Sequence, residues 1–279
     1  MTFSIVARSP DGSSWGVAVA SKFLAVGAYV PIAEAGAGAL ATQSYANLAF
    51  RREGLALLRA GNSADLTMGA LIDPDDRREE RQVGIVDSAG GSASFTGSAC
   101  NSWAGGRTGH GYAIQGNILT GPDVVEAMEE SWLESFRGRG EPEPAPNAGM
   151  PLAHRLFQAL SAGDSAGGDR RGRQSAALLV VSAGAGYGGG NDVVADLRVD
   201  DHAQPLTELA RLLDLHELYF GTSPVESMLP LSGDLLSEVS ELLEKSGHPR
   251  PEGLLPRCGR RCGTGRASRT WRSGSLKVP

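Results

Sequence analysis

MTFSIVAR, the sequence of residues 1–8, places a hydroxyl residue directly after the initiator methionine and then begins a strand at once. Phe3, Ile5 and Ala7 alternate with the residues between them, and this period of two predicts a β-strand. Most chain ends fray unless a sheet or a helix holds them. We therefore expect this strand to be fixed in a sheet, with Thr2 at its start.

Thr2 becomes the first residue of the mature chain if Met1 is removed, which small second residues usually permit. Its hydroxyl and its free α-amine then lie on adjacent carbons. The ordinary pKa of an α-amine is about 7.7–8.0, so part of it is neutral near pH 7. The neutral amine can take the hydroxyl proton directly or through a water. The alternative interpretation is that Thr2 is only the first β-branched residue of a strand.

The apolar periodicity predicts blocks of strands separated by pairs of helices. The early strands are expected to form a meander and cover 2–8, 15–21, 27–33 and 37–43. Two helices, several strands, two more helices, a strand hairpin and two final helices follow. This order is typical of the α+β class. Two antiparallel sheets packed face to face, with helices covering each outer side, would use every segment.

Residues 175–182 form the most hydrophobic predicted strand, which we expect to lie centrally and to be buried on both faces. A glycine-rich stretch, 184–190, follows it. A nucleotide-binding loop would have to open a helix there. Because residues 191–199 have a strand pattern instead, the stretch predicts a hairpin, and nucleotide binding is the weaker alternative.

The charge distribution separates a body from a tail. The formal net charge is −6, and residues 248–279 contain seven Arg and one Lys against one acid, so the preceding body carries about −13. A body this acidic argues against nucleic-acid binding by the body. We predict one domain over 1–247, a surface loop at 138–150, and a basic, disordered tail over 248–279. A nucleic-acid-binding arm is the alternative for the tail.

Three cysteines provide no disulfide framework, which suits a reducing cytoplasm. No apolar stretch has the length of about 20 residues that crosses a membrane, and the N-terminus lacks a signal-peptide pattern. The His and Cys residues have no metal-ligand spacing. A cytoplasmic location without a metal or another cofactor is therefore expected, and the helical faces leave the oligomeric state open, a homo-oligomer included.

Four stretches of this chain resemble one family. They are residues 2–8 (TFSIVAR), 16–23 (GVAVASKF), 115–117 (QGN) and 168–177 (GDRRGRQSAA). In this order they are similar to the DUF1028 family, which is assigned to the N-terminal nucleophile (Ntn) hydrolase superfamily. The resemblance covers about residues 2–222. It implies a four-layer αββα sandwich, in which two antiparallel sheets are covered by helices, and a nucleophile at Thr2.

Three residues are the catalytic candidates. Thr2 is the nucleophile that the resemblance implies. A cation at Lys22 would lower the hydroxyl pKa and favour attack, although Lys22 as a plain surface residue is the alternative. Asn117 is the candidate oxyanion donor at a strand end, with turn formation as its alternative role.

Other polar residues in or beside predicted strands are candidates for substrate binding, three of them in the segment that leads into the strand 175–182. They are Ser21, Gln43, Ser44, Gln115, Asp169, Arg171 and Ser175. Gln43 has the alternative role of satisfying a neighbouring backbone group. The pair Asp169 and Arg171 could orient the Thr2 amine or bind a substrate carboxylate, and a structural salt bridge is the alternative.

The sequence thus predicts an amidohydrolase that cleaves an unidentified amide bond through an acyl-enzyme on Thr2. Its expected partner is a small-molecule or peptide amide substrate. No association with a membrane is expected. The alternative is a non-catalytic binding or structural protein that keeps the same sandwich.

Overall fold

The computed structural model describes residues 2–136, 151–221, 230 and 232–247. The predicted surface loop 138–150 and the predicted tail 248–279 lie outside the described residues. The chain divides into two compact units, of which the first covers residues 1–222 and the second begins at Ser223. The predicted domain boundary at residue 247 stays a prediction.

The strands of the described part are β1 (Thr2–Arg8), β2 (Ser14–Ser21), β3 (Pro31–Glu34), β4 (Gly38–Ser44), β5 (Arg81–Asp87), β6 (Ser92–Thr96), β7 (Gly105–Gly109), β8 (Tyr112–Asn117), β9 (Ser175–Ser182) and β10 (Val193–Val199). Its α-helices are α1 (Val26–Tyr29), α2 (Ala49–Arg59), α3 (Ala64–Ile72), α4 (Asp123–Glu134), α5 (Leu152–Ser165), α6 (Pro205–Phe220) and α7 (Gly233–Lys245). Helix α7 belongs to the second unit.

Two antiparallel sheets organise the first unit. The six-stranded sheet has the order β10-β9-β2-β1-β8-β7, and the four-stranded sheet has the order β3-β4-β5-β6. The first strand therefore lies between β2 and β8 and is paired along both edges. The predicted α+β class with two antiparallel sheets is confirmed, as is the prediction that the chain start is tied into a sheet.

The alternation along β1 separates two packing layers. Phe3 and Ile5 belong to a core cluster that also contains side chains of α4, α5 and α6. Val6 belongs to a second cluster, which contains residues of both sheets, such as Ala41 of β4. A third cluster joins the remaining face of β4 and β5 to α2 and α3. Residues on the even-numbered face of β1, including Thr2, are thus turned toward the four-stranded sheet.

The predicted four-strand meander is wrong in its second half. Residues 26–29 form the short helix α1, and the chain then enters the other sheet at Pro31. The helix packs closely on β9, because a Cβ atom at Gly27 would lie 2.5 Å from Cβ of Ala177. The backbone N–H of Val26 donates to Oγ of Ser175 at 3.2 Å. Tertiary packing on β9 thus overrides the strand-like composition of this segment.

Strand β9 is buried on both faces, as predicted, but lies next to the edge strand β10 rather than at the middle of the sheet. The two strands are antiparallel partners, which confirms the predicted hairpin around the glycine-rich stretch. A single 3₁₀ turn, Tyr187–Gly189, lies in that stretch, and strand follows it. The helix that a nucleotide-binding loop requires is therefore absent from residues 184–199.

A buried ion pair fixes the chain segment that follows β4. Nε of Arg81 lies 2.9 Å from Oδ2 of Asp75, and each side chain is 9% exposed. Asp75 also accepts a hydrogen bond of 3.2 Å from Asn47, and Arg81 donates to the carbonyl of Tyr45. The hydrogen bonds from Arg81 lower the pKa of Asp75 to about 2.

Candidate functional site

Polar side chains form a row across the six-stranded sheet at the end where β1 begins. Ser21 of β2 and Asn117 of β8 are the strand partners of Thr2. Ser175 of β9 is in turn the strand partner of Ser21. All four residues are buried, and Thr2 is 6% exposed. The structure therefore brings together four of the predicted site residues.

The hydroxyl of Thr2 has a partner within this row. Its Oγ1 lies 3.1 Å from Oγ of Ser21, and either oxygen can donate the hydrogen bond. Because both hydroxyls are buried in the sheet, their relative position is set by strand register rather than by a mobile loop. The Oγ1 atom is thus held in one orientation with a polar partner.

A layer of buried amide side chains lies between the two sheets beside this row. Nε2 of Gln43 lies 3.2 Å from the carbonyl oxygen of Thr2, and Nδ2 of Asn117 lies 3.4 Å from the same oxygen. Both nitrogens also lie 2.8 Å from Oε1 of Gln82. We call Gln43, Asn117 and Gln82 the amide clamp. Within the amide clamp, Asn117 has an acceptor for each of its two amide hydrogens. The oxyanion role of Asn117 stays a prediction.

Two further buried residues extend this layer along the sheet. Oγ of Ser4 donates to Oε1 of Gln43 at 2.7 Å, and Nε2 of Gln115 donates to Oγ of Ser4 at 2.6 Å. Gln43 also donates to the backbone carbonyl of Gln115 at 3.3 Å. Gln43 therefore contacts neighbouring backbone groups, which is the alternative role that the sequence left open for it. The substrate contacts predicted for Gln43 and Gln115 stay predictions.

Gly84 of β5 makes room for this layer. A Cβ atom at residue 84 would lie 2.0 Å from Oε1 and 2.5 Å from Cδ of Gln115, which is fully buried. We expect Gly84→Ala to lower the free energy of unfolding by about 1–3 kcal/mol because the Gln115 amide must move. Urea unfolding followed by circular dichroism measures the change.

Gly69→Ala is the matched control for that substitution. Gly69 lies in α3, where the nearest atom that a Cβ would meet is Oδ2 of Asp73 at 3.7 Å. Because alanine favours a helix over glycine by about 1 kcal/mol, this variant should keep or gain stability. If both variants changed the free energy of unfolding by the same amount, the packing conflict expected at residue 84 would be contradicted.

Lys22 lies at the surface just beyond Ser21. Its side chain is exposed, and its Nζ donates to the backbone carbonyl of Arg173 at 3.3 Å. The described contacts thus direct this ammonium toward Arg173, and no described contact joins it to Thr2. Its catalytic role stays a prediction.

Asp169 and Ser175 hold the segment that follows β2. Oδ2 of Asp169 accepts from the backbone N–H of Lys22 at 2.7 Å, and Oδ1 accepts from that of Arg171 at 2.8 Å. The guanidinium of Arg171 is 3.5 Å from the same carboxylate. The Ser175 hydroxyl donates to the carbonyl of Phe23 and accepts from Val26. These contacts order the loop beside Thr2, and the substrate-binding role predicted for these residues is untested.

Ser44 ends β4 with a φ of 67°, a left-handed conformation that is uncommon outside glycine. Its strand partner is Arg81, the arginine of the buried ion pair. The chain therefore turns sharply at Ser44 directly after the clamp residue Gln43. A substrate contact of Ser44 stays a prediction.

The described residues hold no group of three or more His, Cys, Asp or Glu side chains that could bind a metal ion. Within the same part of the chain, no helix is both long and apolar enough to span a membrane.

Gln82 and Ser4 belong to this site, although no sequence pattern singles them out as functional residues. Gln82 is the second residue of β5 and precedes its apolar residues, and such a polar residue is also typical of an ordinary strand end. Ser4 is one small polar residue within an alternating pattern. A signal that could have found them is their position on the face of each strand that alternation turns toward the other sheet.

These features define an α+β protein with a buried polar site at the start of its first strand. The chain belongs to the family of unknown function DUF1028, which matches residues 2–209, so the family inferred from the four sequence stretches is confirmed. No protein with a curated description matches it.

Solved structures that match the chain include one of a DUF1028 protein and one of an ancestral beta-subunit. A DUF1028 protein from Silicibacter pomeroyi is 26% identical with a TM-score of 0.65, and the match covers 85% of this chain and 92% of that chain. Anbu, an ancestral beta-subunit from Yersinia bercovieri, is 13% identical with a TM-score of 0.32 over 82% of this chain and 98% of that chain.

Proposed function

We propose that this chain is an N-terminal nucleophile amidohydrolase that cleaves an amide bond through an acyl-enzyme on Thr2 after removal of Met1. The observation that carries the proposal is the fixed position of Thr2 at the start of β1, where its hydroxyl meets Ser21 and its carbonyl meets Gln43 and Asn117. A nucleophile held this way needs little reorganisation before attack. The two sheets and their helices are, in this proposal, the four-layer αββα sandwich of the Ntn hydrolases.

The reaction uses the two groups on adjacent carbons of Thr2. The neutral α-amine takes the proton from Oγ1 while Oγ1 attacks the substrate carbonyl carbon and forms a tetrahedral intermediate. The C–N bond of the amide then breaks, and the ammonium returns its proton to the leaving nitrogen. Water next attacks the ester carbon, with the amine again as base. The bond between the acyl carbon and Oγ1 breaks, the ammonium returns its proton to Oγ1, and a carboxylic acid leaves, which restores Thr2 with a neutral amine.

The substrate in this proposal is a small-molecule or peptide amide, and the protein works in the cytoplasm. Three cysteines, of which Cys100 is free in the described part, fit a reducing compartment.

Two measurements on the full chain test the proposal. Intact mass should show a mature protein without Met1. Incubation with p-nitrophenyl acetate, an activated ester, should then give an acetyl ester on Oγ1 of Thr2, with release of p-nitrophenolate in a burst. Neutral hydroxylamine cleaves an ester and spares an amide, so it distinguishes acylation of Oγ1 from acylation of the amine. A mature protein that keeps Met1 has no free amine at Thr2 and overturns the proposal.

A non-catalytic binding or structural protein is the second candidate function. The contact of Lys22 with the carbonyl of Arg173 favours it, since the expected cation is directed to a backbone group. This candidate requires that Thr2 of the processed chain react with p-nitrophenyl acetate no faster than an ordinary surface threonine.

A further inference from the structure

Gln82 lies at the centre of the amide clamp and is fully buried. Its Nε2 faces two backbone carbonyl oxygens, those of Gly116 at 2.7 Å and Gly105 at 3.3 Å, and also Oγ1 of Thr96 at 3.0 Å. A carbonyl oxygen can only accept a hydrogen bond. The amide of Gln82 must therefore point its nitrogen toward β7 and β8 and its oxygen toward Gln43 and Asn117.

This orientation determines how the neighbouring amides are placed. Oε1 of Gln82 can only accept hydrogen bonds, so both Gln43 and Asn117 must present an N–H group to it. The distance from each amide nitrogen to this oxygen is 2.8 Å, as a hydrogen bond requires. The hydrogen bond from Ser4 to Oε1 of Gln43 is consistent with the same orientation of the Gln43 amide. Asn117 then has its second amide hydrogen for the carbonyl of Thr2. Gln43 shares its second hydrogen between the carbonyl of Thr2 at 3.2 Å and that of Gln115 at 3.3 Å.

We infer that Gln82 is a positioning residue, which holds the amides of Gln43 and Asn117 on the carbonyl of Thr2 and so fixes the backbone of the nucleophile. Gln82 itself has no described contact with Thr2 and acts through its two partners. The expected effect of Gln82 on the rate of attack by Thr2 rests on the proposed function. The expected effect on hydrogen bonding to the Thr2 carbonyl does not. Small displacements of a reacting group cost rate steeply, by roughly 100-fold for an error of about 1 Å.

The carbonyl of Thr2 can be observed selectively. Thr2-Phe3 is the one Thr-Phe pair in the sequence. A chain labelled with carbonyl-¹³C threonine and ¹⁵N phenylalanine therefore gives a single cross peak in a carbonyl–amide correlation spectrum. The ¹³C shift of that peak reports hydrogen bonding to the Thr2 carbonyl.

Gln82→Met, which fills similar space without polar atoms, is the test variant. We expect the Thr2 carbonyl peak to move upfield as its donors are released, and acetylation of Thr2 by p-nitrophenyl acetate to slow about 10- to 100-fold. Thr96→Val is the matched control. It removes one acceptor of Gln82 and leaves the carbonyl of Gly116 to hold the amide, so the peak and the rate should stay close to those of the wild type.

Each outcome bears on the inference separately from the proposed function. A Gln82→Met protein that loses stability but keeps the wild-type carbonyl shift overturns the positioning role, because a merely structural residue would behave in this way. A shifted peak in a protein whose wild type is never acetylated supports the clamp and refutes the hydrolase. Should Gln82→Met fail to fold, Gln82→Asn withdraws the amide by one methylene and is expected to give the same upfield shift. An unchanged shift there overturns the inference.

Discussion

A Thr2→Ala chain is expected to fold normally, to form no ester at residue 2, and to release p-nitrophenolate in the burst more slowly by about four orders of magnitude or more. The substitution removes the nucleophilic oxygen but keeps a small residue that permits removal of Met1. It also breaks one hydrogen bond with Ser21, which should cost only about 0.5–1.5 kcal/mol of stability. The measurement is the hydroxylamine-sensitive acetyl group at residue 2 after treatment with p-nitrophenyl acetate, located by peptide mass.

Thr2→Ser is the matched control for this prediction. Serine keeps a hydroxyl next to the α-amine and loses only the methyl group, so ester formation should persist. Thr2→Ala retains the free amine and can still form a hydroxylamine-resistant amide there. Burst release of p-nitrophenolate at the wild-type rate from Thr2→Ala would place the reactive group elsewhere and remove the basis of the proposed mechanism.

Asp75→Asn should give the largest loss of stability that the described polar contacts predict, about 2–4 kcal/mol at pH 7. The change leaves the guanidinium of Arg81 buried at 9% exposure without its carboxylate partner. Because the folded pKa of Asp75, about 2, is below its unfolded value, the pair contributes stability at neutral pH that is lost as pH falls from about 4 toward 2. Urea unfolding at a series of pH values measures it.

The difference between wild type and Asp75→Asn should therefore shrink as the pH is lowered through that range. Asp76→Asn is the control, because Asp76 is the exposed neighbour of Asp75 and its substitution should change stability by less than about 0.5 kcal/mol. If the difference in unfolding free energy between wild type and Asp75→Asn stayed constant down to pH 2, the charge of the Asp75 carboxylate would not be the source of the pair's contribution to stability.

Local patterns predicted most of the secondary structure because they report directly which face of an element is buried. The alternation of residues 2–8 predicted β1, which the structure confirms. Helix α1 could not be predicted in this way, because it packs on β9, which is distant in sequence, so closely that a Cβ atom at Gly27 would lie 2.5 Å from Cβ of Ala177. Strand β7, Gly105–Gly109, is rich in glycine and depends on its pairing with β8.

The candidate site could be predicted only as separate residues. Thr2, Ser21 and Asn117 were each singled out at a predicted strand end, yet nothing local specifies that they are partners in register. Register depends on which strands are neighbours, which in turn depends on the packing of both sheets. For the same reason Gln82 was missed, because its importance lies in contacts with four other strands, β4, β6, β7 and β8.

The position of β1 between β2 and β8 also limits the time during synthesis in which the residues next to Thr2 are still unpaired. Its first partner follows within a few residues, but Asn117 is made 115 residues after Thr2. At about 5–20 residues per second, the ribosome needs on the order of ten seconds to reach it. In the finished fold Thr2 is only 6% exposed. On the proposed mechanism, excision of Met1 competes with folding in this interval, because an aminopeptidase that arrives after β8 has docked meets a Thr2 that is already paired with both β2 and β8.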